Sequence, residues 1–441
     1  MGMIPVSTGP VRAKSRVTLL LILVNVVVYL LTTYDKMFLT ISDYWVDKAA
    51  LIPVALMEPA QWYRLVTSMF LHGGLFHIFF NMYFLYLFGR EVEGVLGPLR
   101  FFVLYMLSGI AASIFHVALT AVAGIYNIFI PALGASGAIS GVLGSYLLLF
   151  PHKRMTICWF FWILPWCFTT NAAYFLIFWF ATQIIYGYAR FGGVAFFAHA
   201  GGFVGGMLLL ALLAPKWVRE ARFRVGWDVW RFGYYFVERR GLGKFAKGIL
   251  ALLLLALLGG AAYAIAEAGS IKSGIYIYSV EAGMPGAPKA EDFAVYSIDK
   301  GLVLAPTTDA ARVALNRLYW AGLLTGPPNM SAKAFHYKGI VRTTIEGTSV
   351  TVRLDLTASV KYDKYGVLTQ CVGKMITDVI QISPLGVRLE RSVPIIINLS
   401  AEGPVENVGK SLIAPAAILS LAITLPSMYV VLARDKELVI E

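Results

Sequence analysis

Charged residues are scarce in this chain of 441 residues. Asp, Glu, Lys and Arg make up 14% of it and hydrophobic residues 58%, whereas about a quarter of the residues are charged in ordinary soluble domains. This balance excludes a soluble globular protein. The hydrophobic residues are gathered in runs, and a run of roughly 18 or more is long enough to cross the hydrocarbon core of a bilayer as a helix.

The apolar runs predict eight membrane spans and an α-helical multi-pass membrane protein. The spans are residues 17–34, 74–90, 101–123, 134–150, 157–185, 195–214, 248–267 and 412–433. They divide the chain into a six-span core, a basic cytoplasmic linker or surface helix, a seventh span, an extracytoplasmic domain, an eighth span and a cytoplasmic tail. These parts are residues 1–214, 215–247, 248–267, 268–411, 412–433 and 434–441.

Cysteine is also scarce, which restricts metal binding and cross-linking. The three cysteines, Cys158, Cys167 and Cys371, have neither the spacing of a zinc site nor that of a disulfide framework. We expect Cys158 and Cys167 to pack in the fifth span, although Pro165 interrupts that span.

The net charge of +12 reflects membrane orientation and not nucleic-acid binding. Arg12, Lys14 and Arg16 precede the first span, and alternating sides from there puts most other basic loop residues on the same side. Because basic loops stay in the cytoplasm, both termini are predicted to be cytoplasmic in a cell membrane. The first span also has the charge pattern of a signal peptide, but no small-residue cleavage site follows it, which favours a retained span.

Residues 268–411 differ in composition from the spans on either side. The alternating run 350–356 predicts a strand, and a capping pair before an apolar stretch predicts a helix over 309–323. We therefore expect an α+β domain outside the cytoplasm. It would present substrates, bind an adaptor or cover the membrane-embedded core.

Four polar residues fall at a similar depth near the outer surface. Ser136 and His199 lie about one turn into the fourth and sixth spans, which both run inward. His77 lies about one turn into the second span, and Asn81 is on the same face one turn further. Polar groups at membrane depth are costly unless they have partners, so their coincidence predicts a functional site.

These residue types fit nucleophilic acyl transfer. His199 can take the proton of the Ser136 hydroxyl, and because spans three to six contain no Asp or Glu, a dyad is predicted instead of a triad. His77, Asn81 and backbone N–H groups at the start of the fourth span can stabilise an oxyanion. Taken singly, Ser136 is also typical of a helix-packing residue, and the other three side chains are typical of interhelical hydrogen bonds.

Five signatures resemble the rhomboid family of intramembrane serine proteases. In chain order they are Trp62-Tyr63-Arg64, His77 with Asn81, Glu93 with Gly97, Gly134-Ala135-Ser136-Gly137 followed by Gly141 and Gly144, and Ala198-His199-Ala200-Gly201-Gly202 with Gly206. The resemblance covers about residues 17–214, roughly half of the chain. Nothing beyond residue 214 shares it.

The resemblance implies a six-helix core whose short fourth helix begins in a water-filled cavity. It implies Ser136 as nucleophile, His199 as general base, and His77, Asn81 and the Ser136 N–H as oxyanion-stabilising groups. The substrates would be transmembrane proteins, cut within or beside a span in the lipid bilayer. No metal or organic cofactor is expected.

The resemblance also implies structural roles, and at one position the chain departs from several members. Arg64 would anchor the first loop, and Gly202 and Gly206 would let the fourth and sixth helices touch. Ser140 stands where several members have an aromatic residue that stacks on the base histidine. The orientation of the His199 ring therefore stays open.

Two other functions are compatible with the same residues. A catalytically inactive rhomboid-like protein would bind transmembrane clients as a chaperone or adaptor, but such proteins usually lose the nucleophile or the base. A transporter would line its path with the polar residues. The chain lacks the paired halves common in transporters, and its polar cluster lies near one face instead of at the midplane.

Overall fold

The structure is a computed structural model, and the chain divides into two units. Unit 1 comprises Met1–Ser42, Ala49–Ser270 and Gly409–Glu441, and unit 2 comprises Asp43–Lys48 and Ile271–Val408. The residues described are 3–7, 15–161, 164–191, 195–220, 223–228, 233–270, 274–284, 290–299, 301–306, 308–345, 348–383, 386–401, 403–405 and 407–440. Arg12 and Lys14, which contribute to the predicted orientation, lie outside these ranges.

Helices account for most of unit 1. In chain order the α-helices of both units are α1 (Arg16–Thr33), α2 (Asp43–Ala49), α3 (Arg64–Thr67), α4 (Leu75–Phe84), α5 (Arg90–Leu96), α6 (Pro98–Ala118), α7 (Thr120–Ala123), α8 (Ser136–Leu149), α9 (Ala172–Tyr188), α10 (Phe196–Leu213), α11 (Lys216–Glu220), α12 (Lys244–Glu267), α13 (Asp309–Trp320), α14 (Ala414–Tyr429) and α15 (Asp435–Leu438). π-Helical segments join α4 to α5, precede α14 and join α14 to α15: Leu85–Gly89, Gly409–Ile413 and Val430–Arg434.

Strands dominate unit 2 and form two small sheets in unit 1. In chain order they are β1 (Met3–Ser7), β2 (Arg154–Phe161), β3 (Leu164–Asn171), β4 (Phe223–Asp228), β5 (Gly233–Glu238), β6 (Ile275–Gly283), β7 (Ala290–Ser297), β8 (Gly301–Leu304), β9 (Ser331–Ile345), β10 (Thr348–Tyr362), β11 (Leu368–Ser383) and β12 (Gly386–Ser400).

Five helical segments among the described residues are long and apolar enough to cross a membrane. They are Arg16–Lys36, Pro98–Ala118, Phe196–Leu213, Lys244–Glu267 and Gly409–Leu438. α8 and α9 are also apolar but shorter. Each of the eight predicted spans overlaps at least one of the helices.

The first part of the fifth predicted span, residues 157–185, is wrong. β2 and β3 form an antiparallel hairpin there, and α9 begins only at Ala172. Cys158 and Cys167 are directly opposite each other in this hairpin and are joined by a disulfide, so the expectation that they pack in a helix without bonding is also wrong. A short apolar run does not distinguish a strand from a buried helix by periodicity, and Pro165 disfavours a helix here.

The surface helix considered for residues 215–247 is largely absent from the described part of that segment. Only α11 is helical before α12 begins, and the antiparallel hairpin of β4 and β5 follows it. Aromatic and β-branched residues are frequent in both strands, and these residue types favour extended backbone over helix. The basic charge of the segment was therefore a poor guide to its secondary structure.

α8 and α10 touch through their backbones because glycines line the contact. A methyl group at Gly202 would collide with the carbonyl oxygen of Gly137, and one at Gly206 would collide with that of Gly141. This is the contact that the family resemblance implies for Gly202 and Gly206. Small residues allow such close helix approach in membrane proteins, and here the approach brings the first turns of α8 and α10 together.

Two buried charged residues fasten the first loop and the start of α1. Arg64, only 1% exposed, donates to the carbonyl oxygen of Ala50, which is the anchoring that the resemblance implies. The Glu93 carboxylate accepts from the backbone N–H groups of Val17 and Thr18. Glu93 therefore caps the N-terminus of α1 from α5, where free N–H groups favour a negative charge.

Unit 2 is an α+β unit, as predicted. Its seven strands form an antiparallel sheet in the order β8-β7-β6-β12-β11-β10-β9, and α13 packs against one face of it. The predicted helix over 309–323 corresponds to α13, and the predicted strand over 350–356 lies within β10. Tyr276, Leu354 and Ile397 lie in the core between the sheet and this helix.

Candidate functional site

Ser136 and His199 lie in contact at the same end of the bundle. Ser136 is the first residue of α8, and His199 is in the first turn of α10. Their Oγ and Nε2 atoms are 2.8 Å apart, within hydrogen-bonding distance. The two residues that sequence depth predicted to meet are therefore brought together, in a geometry that allows proton transfer from the hydroxyl to the imidazole.

The second ring nitrogen of His199 is bonded to a residue that the sequence analysis did not single out. Nδ1 of His199 lies 2.9 Å from Oε1 of Gln183 on α9. Because an amide oxygen only accepts, Nδ1 must carry the hydrogen, and Nε2 keeps its lone pair for the Ser136 hydroxyl. This is the tautomer that a general base for Ser136 requires.

His77 and Asn81 lie beside the loop that precedes Ser136. Nδ1 of His77 accepts from the backbone N–H of Gly73 at 3.3 Å, so in the neutral imidazole Nε2 carries the hydrogen. The amide nitrogen of Asn81 is buried and has no hydrogen-bond partner among the described residues. Both side chains therefore have an N–H donor available for a bound oxygen.

Gly134 is required by this arrangement for two reasons. Its φ of +125° is a backbone conformation that other residues rarely adopt. A Cβ at this position would also lie 2.8 Å from Nε2 of His77 and 3.7 Å from Nδ2 of Asn81. The loop backbone, two residues before Ser136, therefore lies directly against both candidate donors.

Comparison with known proteins agrees with this geometry. Residues 59–216 match the sequence model of the rhomboid domain. This segment is therefore a domain of the rhomboid family. Three relatives share a segment of 93 residues with it: Rhomboid protein 1, mitochondrial, of Saccharomyces cerevisiae at 41% identity, Inactive RHOMBOID-like protein 8 of Arabidopsis thaliana at 39% and Rhomboid protease GluP of Bacillus subtilis at 37%.

The similarity covers a limited part of each protein. The shared segments make up 21% of this chain and 27%, 24% and 17% of the yeast, plant and bacterial proteins, respectively. Their names include a protease and an inactive protein. The rhomboid domain follows from the comparison, and five apolar helices are able to span a membrane. Neither finding decides whether this chain is an active protease.

The candidate residues line a cavity of about 730 Å³. Its lining includes Ser136, His199, His77 and Asn81, and many of the other lining residues are aromatic or aliphatic: Phe76, Phe80, Ile130, Leu133, Phe191, Phe196 and Phe197. An apolar cavity with a few convergent polar groups is typical of a binding site. It can surround an extended apolar peptide beside the Ser136 hydroxyl.

Two further ionisable residues line the cavity and were missed by the sequence analysis. His116, near the end of α6, has a buried Nε2 without a partner among the described residues. Arg190, just beyond α9, donates through Nε to the carbonyl oxygen of Val122 at 3.0 Å. His116 could have been found by its depth, because it lies near the outer end of a span that is predicted to run outward.

The aromatic side chain that lies beside the His199 ring comes from α9 and not from α8. Ser140, where several rhomboids have an aromatic residue, donates its hydroxyl to the Ser136 carbonyl oxygen at 2.6 Å. The Trp179 ring lies 6.0 Å from the His199 ring, centroid to centroid, at an interplanar angle of 30°. The His199 orientation left open by Ser140 is therefore supported from a different helix.

Proposed function

We propose that this rhomboid is an intramembrane serine endopeptidase that hydrolyses peptide bonds within or beside transmembrane segments of other membrane proteins. The observation that carries the proposal is the 2.8 Å contact between Ser136 Oγ and His199 Nε2 in an apolar cavity. A helix-packing serine has no need of a histidine base at hydrogen-bonding distance. The N–H donor of Asn81 in the same cavity, which has no partner in the described part of the chain, supports the same chemistry.

In the first half-reaction, Ser136 Oγ attacks the carbonyl carbon of the scissile peptide while its proton passes to His199 Nε2. The carbonyl oxygen becomes an oxyanion, which His77 Nε2, Asn81 Nδ2 and the Ser136 N–H stabilise. The C–N bond then breaks, and His199 gives the proton to the leaving nitrogen. One fragment departs as an amine, and the other remains as an ester on Ser136.

In the second half-reaction, a water molecule attacks the ester carbonyl and gives one proton to His199 Nε2. The C–Oγ bond breaks, His199 returns the proton to Ser136 Oγ, and the second fragment leaves with a carboxyl group. The pair is thereby restored. The proposed setting is a cell membrane with both termini cytoplasmic and residues 268–411 outside. In this orientation the end of the bundle at which α8 and α10 begin faces the external water.

The competing function is that of an inactive rhomboid-like protein that binds transmembrane clients. One relative is named as inactive, so membership of the family does not decide between the two. What favours the protease is that both members of the Ser136–His199 pair are present and in contact.

The test is cleavage of a single-span substrate by the purified chain in lipid vesicles. Wild type should release two fragments, whereas Ser136→Ala and His199→Ala should release neither. Ser113→Ala is the matched control, because among the described residues the Ser113 hydroxyl bonds only to the Gly109 carbonyl oxygen of its own helix. Equal cleavage by Ser136→Ala and wild type would refute the proposal, and stable capture of an uncleaved client by both would favour the binding protein.

A further inference from the structure

We propose that Gln183 is a positioning residue for the His199 base and fixes the orientation and the tautomer of its ring. This inference rests on the proposed function. Gln183 is on α9, whereas Ser136 and His199 are on α8 and α10, so three helices converge on one imidazole. Gln183 Oε1 and Ser136 Oγ bond opposite nitrogens of the ring, at 2.9 Å and 2.8 Å.

The amide of Gln183 is held in one orientation by its own helix. Its nitrogen donates to the Trp179 carbonyl oxygen at 3.2 Å and to Thr182 Oγ1 at 3.1 Å. The Thr182 hydroxyl donates to the same Trp179 carbonyl at 2.6 Å, so its oxygen is free to accept. Both amide hydrogens of Gln183 are thereby used, and only the acceptor Oε1 remains to face His199.

A neutral acceptor suits this position better than a carboxylate. Gln183 is 6% exposed, and a buried carboxylate at membrane depth is costly unless it is paired with a cation. The amide oxygen fixes the same tautomer of the base as the aspartate of a Ser-His-Asp triad does, without introducing a buried charge. Gln183 therefore provides orientation but less stabilisation of the imidazolium than a carboxylate would.

Trp179 and Gln183 together form what we term the α9 clamp. They are four residues apart and therefore lie on one face of the helix. The Trp179 ring lies beside the His199 ring, and Gln183 Oε1 accepts a hydrogen bond from His199 Nδ1. The clamp explains how this chain orients its base although Ser140 replaces the aromatic residue on α8.

The test compares Gln183→Leu and Gln183→Glu in the reconstituted full-length chain. Gln183→Leu leaves the buried Nδ1–H without an acceptor, so kcat should fall by about 10–100-fold while KM changes little. The rate at which a fluorophosphonate labels Ser136 should fall in parallel, because it reports the reactivity of Ser136 without a peptide substrate. Tyr174→Phe, at an exposed α9 position, should leave both rates unchanged.

Gln183→Glu keeps an acceptor of the same length and should retain cleavage within about ten-fold of wild type. Its carboxylate stabilises the protonated imidazole, so the acid limb of the kcat profile should move to higher pH, by about one unit or more. His77, His116 and Arg190, the other titratable or charged residues lining the cavity, are the same in both chains. A merely structural Gln183 would leave this limb in place.

The outcomes separate the two proposals. A wild-type chain that is neither active nor labelled overturns the proposed function. A wild-type chain that cleaves, with a Gln183→Leu variant of equal kcat, overturns the role of Gln183 alone. If Gln183→Leu fails to fold, as judged by its unfolding midpoint, the acid limb of Gln183→Glu decides: a shifted limb supports the positioning role, and an unshifted limb refutes it.

Discussion

At Gly202 and Gly206 the backbone of α10 lies against the backbone of α8, with no side chain between them. The contact sets the distance between the two helices and therefore the distance between Ser136 and His199. Residues without functional groups thus determine whether the hydroxyl and the imidazole meet. At this scale the site depends on close packing as much as on its polar atoms, because packed interiors transmit shifts of even one methyl group.

We predict that Gly206→Ala lowers both stability and activity. Its methyl group would collide with the Gly141 carbonyl oxygen and push α8 away from α10, which should cost about 1–3 kcal/mol in the free energy of unfolding. Gly259→Ala on α12 is the matched control, since a Cβ there meets no atom within 4 Å. Unfolding midpoints in detergent measure the difference. Equal midpoints for the two variants would show that the helix contact tolerates a side chain.

The Asn81 amide should matter for the rate and not for substrate affinity. Asn81→Leu keeps the approximate size of the side chain but removes the N–H donor, which bonds to none of the residues that the structure describes. Loss of one oxyanion donor typically lowers kcat about 100–1,000-fold, and KM should change little because the charge develops only in the transition state. Steady-state cleavage kinetics check this. A variant with raised KM and normal kcat would assign Asn81 to substrate binding instead.

At the scale of elements, Asp378 joins three strands of unit 2. From β11 its carboxylate accepts from Arg353 on β10 and from the Ser392 N–H on β12. Arg317 of α13 donates to the backbone carbonyl oxygen of Asp378. Burial raises the pKa of the Asp378 carboxyl, but the Arg353 guanidinium and the donated hydrogen bonds outweigh it and hold the pKa below its usual value.

This lowered pKa predicts how unit 2 responds to acid. Because the folded-state pKa lies below the unfolded value of about 3.9, the contribution of Asp378 is present at neutral pH and is lost as pH falls through the folded pKa. Asp378→Asn should lose about 1–3 kcal/mol at pH 7 and show a weaker acid dependence than wild type. Hydrogen-exchange protection of β11 in the full chain measures both the loss of stability at pH 7 and its dependence on acid. Identical acid profiles would contradict this role.

Some elements could be predicted from local sequence patterns, and others could not. α13 and β10 were predicted because a cap and a strict alternation are local signals. The β2–β3 hairpin was not, because Cys158 and Cys167 lie in an apolar run that fits a span as well as a strand. The sheet order, in which β6 pairs with β12, depends on contacts between distant segments. Depth along the spans predicted Ser136 and His199, but Gln183 was missed because only acidic residues were considered as a third member.

At the scale of the whole molecule, unit 2 is inserted between two helices of unit 1. The end of α12 lies next to the start of the π-helical segment that leads into α14, since Gly409 lies against the backbone of Ala268. The returning helix is fastened to the bundle by a Ser427 hydroxyl that donates to the Val204 carbonyl oxygen and by an Asp435–Lys247 ion pair. The bundle therefore does not need the inserted unit to hold these helices together.

We predict that a chain lacking residues 271–408, with a short linker between Ser270 and Gly409, still folds and cleaves. If the inserted unit recruits substrates, it raises their effective concentration near the site. Its removal should then slow cleavage of large membrane substrates more than that of a short peptide. Cleavage rates for both substrate types in vesicles make the comparison. Uniform loss on both would indicate that the unit serves the structure of the bundle.

In the proposed mechanism, Ser136 is a nucleophile activated by His199. The most direct measurement is the intact mass of the full-length chain after reaction with a fluorophosphonate, followed by identification of the modified residue. We expect one adduct per chain, on Ser136, formed by wild type and lost in His199→Ala. Unmodified Ser136 in a wild-type preparation that cleaves its substrate, or equal labelling of Ser136 without His199, would contradict it.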